Sequence, residues 1–360
     1  MRIDRERAGR YARAGARWAV LLARRPAPGE LRVCYGHDRI PGPGEPVAGG
    51  TAKMQRLAER FPSSPRDFTL LYLGSSWLPR DLRPLLWLAR RRGVPVVLNQ
   101  NGVAYPAWAG DRVEELNRPI RLALEAADHV LYQSEFCKRS ADEWVSPPSG
   151  SWEILPNAVD VERFTPAPKP PAGGPVLLAG GDQTQGAYRL ELALRTLAVL
   201  SREHPEARLL VTGRLLTDPA PLLVELGLEG RVELLGSYSQ AEAPALYRRA
   251  HLLLHTQLND SCPSVVLEAM ACGLPVVHPA SGGTVELVGG VAGIGVPHEG
   301  SWERLVPPPP EALAEAVTRV LADLPAYAAA ARARAVERYA LGPWLDRHAE
   351  LFAELLVRGG

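Results

Sequence analysis

Ten short apolar runs alternate with helix-patterned stretches along this 360-residue chain, five on each side of a proline- and glycine-rich break. That alternation admits few folds other than α/β domains with parallel sheets, because parallel neighbours need a long crossover and a helix supplies it. In the first half the runs are Leu31 to Tyr35, Phe68 to Leu73, Val94 to Asn99, His129 to Gln133 and Ser151 to Leu155. Helical patterns cover Thr51 to Phe61, Asp81 to Arg92 and Val113 to Ala127, and Ser134 stands where a cap would open a helix through Trp144. The break, Thr165 to Pro175, reads as a linker. The second-half runs are Pro175 to Gly180, Arg208 to Gly213, Arg231 to Gly236, His251 to Thr256 and Leu274 to His278. Ser239 and Glu242 have capping-box spacing before His251. After Pro307 to Pro310 come two helices and an amphipathic one near Trp344 to Leu356.

So long a chain exceeds one hydrophobic core, and two doubly wound, Rossmann-like domains facing a cleft are expected. The divisions are 1–165, a linker 166–174, 175–340, and a C-terminal helix 341–360 returning to the first domain. Hydrophobic residues make up 46% and charged residues 22%, and no apolar run reaches the length of about 18 that a membrane span needs. The N-terminus lacks the apolar core of a secretory signal. Cys34, Cys137, Cys262 and Cys272 are too widely spaced for a metal motif and read as reduced thiols of a cytoplasmic protein. The net charge of +1 hides an asymmetry: residues 1–100 carry 19 Lys and Arg against 8 Asp and Glu, the rest 22 against 32. The arginine-rich start, which includes Trp18 and Leu21, suits peripheral contact with an anionic membrane, or a solvated arm on the domain surface. No nucleic-acid recognition module accompanies it, so nucleic acid is not an expected partner.

The functional signal is concentrated in Asn259 to Val277, NDSCPSVVLEAMACGLPVV. Pro263 suits the first position of a helix, Gly273 its C-terminal cap, and Pro275 forbids continuation. Asp260 then lies on the loop before the helix and Glu268 about a turn inside it. Free amides at Ser264 to Val266 would face an anion, with a carboxylate on either side for hydroxyl groups. An anion flanked by hydroxyls describes a nucleotide diphosphate sugar.

Several motifs together resemble retaining family-4 glycosyltransferases of the GT-B fold. EILPNAVDVERFTP (Glu153 to Pro166) resembles the segment ending their first domain, and HVLYQSEFCKRSADEW the element before it. LRTLAVLSREHPEARLLVTG is similar to the entry into their donor domain, GGTAK (Gly49 to Lys53) to their first glycine-rich loop, and Asp260 with Glu268 to their paired donor acids. The resemblance implies transfer of a hexose from a UDP- or GDP-type donor to a saccharide or lipid-linked acceptor, with retention and without metal or other cofactor. It implies that Glu268 binds the ribose and Asp260 the donor hexose. Ser261, Cys262, Ser264 and Val265 would offer amides to the donor, with Pro263 contributing none. Gly236 and Ser237 match the nucleobase shelf. Gly49 and Gly50 match the first-domain loop that closes near the diphosphate, Gly283 and Thr284 offer a second glycine loop before a helix as a phosphate neighbour, and Gly180 and Gly181 are further donor-binding candidates.

The chain departs from the family at its phosphate clamp. Gly181 or Asp182 stands where an arginine is usual, and Gln185 where a lysine is usual. Arg189 and Arg214 are the candidate substitutes, with Lys53 a third. A histidine common after the third strand is replaced by NQNGVAYPAW, where Asn101, Tyr105 and Trp108, with His37 after the first strand, suit an acceptor wall. The lost cations also fit a second reading, a weak or inactive GT-B protein acting as a partner subunit. A dinucleotide-dependent dehydrogenase is disfavoured, since no G-x-G-x-x-G follows the first strand of either half.

Overall fold

The computed structural model describes residues 29–42, 45, 50–183 and 186–358, together with Trp18 and Leu21. Gly49 and Gln185, and the arginine-rich start apart from those two residues, lie outside the described residues.

The first domain carries a parallel sheet in the order β1 (Val33–Cys34), β2 (Leu70–Gly74), β3 (Val96–Gln100), β4 (His129–Tyr132) and β5 (Ser151–Ile154). Its strands are apolar on both faces because both are covered. Helix α1 (Gly50–Arg60) presents Met54 and Leu57 to one face. Helices α2 (Leu82–Arg92), α4 (Val113–Ala126) and α5 (Glu135–Trp144) cover the other, and a short α3 (Pro106–Ala109) precedes α4. Ser134 caps α5, accepting from the Cys137 amide at 3.0 Å.

The second domain carries six parallel strands in the order β11-β10-β9-β6-β7-β8. These are β6 (Val176–Ala179), β7 (Arg208–Thr212), β8 (Val232–Gly236), β9 (Leu252–Leu254), β10 (Val276–Pro279) and β11 (Gly293–Val296). Between them run α6 (Tyr188–Leu200), α7 (Ala220–Glu225), α8 (Ala243–Tyr247), α9 (Ser264–Ala271) and α10 (Thr284–Val288). Helices α11 (Pro310–Ala322), α12 (Leu324–Tyr339) and α13 (Leu341–Arg358) complete the chain. Strand β11, Gly-Ile-Gly-Val, has no counterpart in the sequence reading, because two glycines in four residues do not look like a strand. Packing requires one of them: a Cβ on Gly293 would come within 1.9 Å of the Val276 carbonyl oxygen on β10. The Ser239–Glu242 capping box forms, with Ser239 N donating to Glu242 Oε2 at 2.8 Å and Glu242 N to Ser239 Oγ at 3.3 Å.

Strand order reverses between β6 and β9. Such a switch point opens a crevice beyond the carboxyl ends of the strands. The loops after β6 (Gly180 to Gln183) and after β9 (His255 to Pro263) therefore share one opening, which the first domain faces. After α12 the chain crosses back to the first domain, where Leu341 N donates to Val159 O at 3.0 Å. Helix α13 then lies on the first sheet through Phe352, a Tyr72–His348 hydrogen bond of 3.0 Å and an Arg347–Glu153 ion pair of 3.0 Å. Among the described residues no helix is long and apolar enough to cross a membrane.

Candidate functional site

Helix α9 points its N-terminus at the first domain. Pro263 is the cap residue (φ −67°, ψ 119°) rather than the first helical residue, so the helix begins one residue later than the sequence suggested. Val266 N donates to Pro263 O at 3.1 Å, which leaves the amides of Ser264 and Val265 without a partner among the described residues. Ser261 and Cys262 differ from the expectation too. Their amides serve the carboxylate of Asp260 and are not open to a ligand in this arrangement. The loop is locked from across the cleft: Ser134 Oγ donates to Ser261 O at 2.7 Å, and Asn157 Nδ2 to Cys262 O at 2.9 Å. Gly283 fits only because it lacks a Cβ, which would sit 2.0 Å from Ser261 O and 2.7 Å from Ser134 Oγ. Next to it, Thr284 is buried, with a hydroxyl that has no partner among the described residues. Glu286 reaches across to accept from the amides of Glu135 and Phe136, both at 2.8 Å, at the start of α5.

Glu268 is 3% exposed, one turn into α9. Tyr247 donates to its Oε2 at 2.9 Å, and Arg56 of α1 stands 3.8 Å from Oε1. Burial pushes its carboxyl above the ordinary range, against the pull of Arg56, Tyr247 and Gln240. Beside Arg56, Lys53 is buried, donating to Asn99 Oδ1 at 2.5 Å and Asn101 Oδ1 at 3.1 Å. Burial lowers its ammonium to about 8, opposed by the Cys262 and Cys137 thiols. Lys53, Arg56, Asn157 and Ser264 line a small opening at the mouth of α9. Two first-domain cations thus meet the free amides of a second-domain helix, a combination suited to phosphate. Arg56 was not singled out in the sequence, since it lies 212 positions from Glu268 and matches no family motif.

On the other side of the loop, Asp260 lies beside Arg189 and His255. Its side chain keeps 23% of its surface, yet crowding raises its carboxyl above the usual range while Arg189 and the Cys262 and Ser261 amides pull it back. Arg189 is 3% exposed, gives one N–H to Asp182 O and leaves its Nε without a partner among the described residues. His255 Nε2 is 4.0 Å from Asp260 Oδ2, and burial holds the imidazole well below its usual pKa, hence neutral. Arg214 is placed differently. It is 70% exposed and spends its guanidinium on Asp182 Oδ2 at 2.9 and 2.6 Å, at the rim of the opening. Arg214→Ala should therefore change donor turnover less than about twofold, in the range of an exposed ion pair; steady-state kinetics checks this.

Gly180 and Gly181 lie under Val265 where β6 meets α9, and Gly181 has φ +85°. Gly236 and Ser237 are exposed at the end of β8. Gly50 opens α1 against Ser76. Asn101 is held by Lys53, Gln133 and Ser76. Tyr105 is buried against Trp302 and bonds the side chain of Asn259. Trp108 is 52% exposed. His37 stacks on Trp77 at 3.7 Å and bonds its carbonyl at 3.0 Å. Asn101 and Tyr105 thus face the cleft, and Trp108 and His37 flank it. Among the described residues no cluster of His, Cys, Asp and Glu could hold a metal ion.

Residues 174–323 match the family of glycosyl transferases group 1. Over 282 residues the chain is 31% identical to the D-inositol 3-phosphate glycosyltransferase of Kineococcus radiotolerans, covering 70% of this chain and 64% of that one. It is 23% identical over 207 residues to the gpi3 subunit of phosphatidylinositol N-acetylglucosaminyltransferase from Schizosaccharomyces pombe, covering 56% and 44%. The chain thus spans less than two thirds of either relative. In three dimensions it is similar to HepE from Anabaena in complex with UDP-glucose, with a TM-score of 0.65 and 19% identity over 84% of this chain and 81% of that one. The architecture is a GT-B fold, within which residues 174–323 carry the similarity to glycosyl transferases group 1.

Proposed function

We propose that this chain is a retaining, metal-independent glycosyltransferase that moves a hexose from a UDP- or GDP-type sugar to a hydroxyl of a saccharide or lipid-linked acceptor. The observation that carries the reading is the convergence of Lys53 and Arg56 on the free α9 amides beside Glu268. In this reading Arg56 leaves Glu268 when a donor enters, and the ribose hydroxyls replace it. Lys53, Arg56 and the Ser264 and Val265 amides hold the diphosphate, standing in for the missing clamp. Asp260 fixes the hexose, with Arg189 turned toward the phosphate nearest the sugar. Gly236 and Ser237 support the base, and Gly180, Gly181, Gly283 and Thr284 let the backbone approach the donor. Asn101, Tyr105, Trp108 and His37 receive the acceptor. The bond from the anomeric carbon to phosphate breaks as the acceptor oxygen bonds that carbon on the same face. The acceptor proton passes to the departing phosphate, whose charge the cations and helix stabilise.

The inositol-linked substrates named for the two relatives extend the acceptor class to polyol phosphates. The second reading, a noncatalytic partner subunit, rests on Asp182 standing at a cation position and pairing with Arg214. Incubating the protein with UDP- and GDP-sugars and following release of nucleoside diphosphate separates the two. Turnover of one donor supports the enzyme, and binding without turnover of any donor supports the partner.

Arg189→Met should lower donor turnover by about two orders of magnitude. It should also move the acid limb of the pH–rate profile upward. Arg189 pulls the Asp260 carboxyl down, so without it Asp260 takes up a proton at higher pH. An unchanged acid limb would disconnect Arg189 from Asp260.

A further inference from the structure

A second cavity, of about 410 Å³, opens on the far side of the Asp260 loop. Phe136 and Arg139 of α5 form one wall, Asn259, Ser281 and Val285 another, and Trp302 closes the end. Trp302 comes from the segment between β11 and α11, which leaves the second domain to reach the first. Its carbonyl accepts from Ala107 N at 2.7 Å. Its indole stacks on Phe136 at 5.4 Å and meets Tyr105 edge-on at 5.0 Å. Nothing in the donor reading uses this segment.

Two observations orient the cavity. Asn259 lines it, and is the single non-glycine with a left-handed backbone (φ 53°) among the described residues. Such conformations gather at functional sites. The next residue, Asp260, lies instead against Arg189 and His255. Consecutive residues thus address the cavity and the place proposed for the donor hexose. Aromatic faces present apolar, electron-rich surface to the C–H bonds of a sugar ring, while Asn and Ser side chains meet its hydroxyls. The volume falls within the usual range for a small-ligand pocket.

We infer that this cavity binds a pyranose ring of the acceptor, with Trp302 as its stacking face. The inference rests on the donor reading above. It places the acceptor between two domains, with one wall supplied by the donor domain itself. The acceptor's linkage would then depend on the Trp302 segment as well as on first-domain loops.

The experiment is saturation-transfer NMR with free glucose, mannose, galactose, N-acetylglucosamine and glucuronate, run on the full chain. Calorimetry with UDP and GDP accompanies it as a separate readout of the donor site. At least one sugar should receive saturation from the wild type. Trp302→Ala should weaken that sugar's binding at least about tenfold, and Trp302→Phe should keep most of it. Val285→Trp fills the cavity from the opposite wall with the Trp302 segment intact, and should abolish the signal even if Trp302→Ala fails to fold. Saturation of none of these sugars, or a signal that survives both Trp302→Ala and Val285→Trp, would overturn the inference. Failure of UDP and GDP to bind the wild type would strike the donor reading instead.

Discussion

Glu268→Gln should lower kcat/KM for the donor by two to three orders of magnitude while the protein melts close to wild type. The substitution keeps an oxygen to accept from Tyr247, now at 2.9 Å from Glu268 Oε2, and keeps the side-chain volume in a site only 3% exposed. The core around α9 is therefore undisturbed. What disappears is a negative charge able to accept from two hydroxyls at once. Charge-assisted hydrogen bonds contribute about 1.5 to 3 kcal/mol each, and one or two of them account for the expected loss. Arg56, 3.8 Å away, would also lose its partner in the unliganded protein, which frees it for phosphate and limits the loss. Donor kinetics with a melting curve on the same sample checks both halves. Full activity in a folded Glu268→Gln protein would remove the ribose contact from α9.

Lys53→Met should have the second largest effect, with donor kcat/KM lower by about 30- to 100-fold, the loss of one charged hydrogen bond to phosphate. Its pH signature sets it apart from a packing defect. The ammonium titrates at about 8 in the folded chain and at 10.5 when unperturbed. Donor kcat/KM in the wild type should fall as pH rises through about 8, because that ratio follows the free enzyme's ionisations. In Lys53→Met the alkaline limb should be absent. Stability runs the other way. A lysine whose folded pKa is depressed opposes folding below pH 8, by about 3 kcal/mol, and the opposition fades between 8 and 10.5. Methionine removes that cost but also the hydrogen bonds to Asn99 and Asn101, each contributing about 1 to 1.5 kcal/mol. The two changes nearly cancel, so the melting temperature at pH 7 should shift by only a few degrees. Rate profiles and melting curves of both proteins from pH 6 to 10, a window chosen to bracket about 8, decide the matter.

The α/β architecture was legible because strand runs and helix periods are local properties. Ser134, the Ser239–Glu242 box and Gly273 mark their helix ends by short-range chemistry, and each takes the expected place. Strand β11 was invisible because its glycines answer to a neighbour strand. The donor helix could be read from Asn259 to Val277 since loop, cap and carboxylates are contiguous. Of the cations opposite it, Lys53 was a candidate from its place after the first glycine loop, and Arg56 was not. Arg214 looked available from its place after β7, but pairing with Asp182 holds it at the rim. Arg56 looked like an ordinary helix arginine, and only the meeting of two domains brings it to Glu268. The Trp302 segment is silent in sequence for the same reason.

The most direct measurement is calorimetric titration of the wild type, Glu268→Gln and Lys53→Met with UDP, GDP and their hexose conjugates. One nucleotide class should bind the wild type, and both substitutions should weaken it without unfolding the protein. Equal affinity in all three folded proteins, or no binding of either class to the wild type, would contradict a donor site at the mouth of α9.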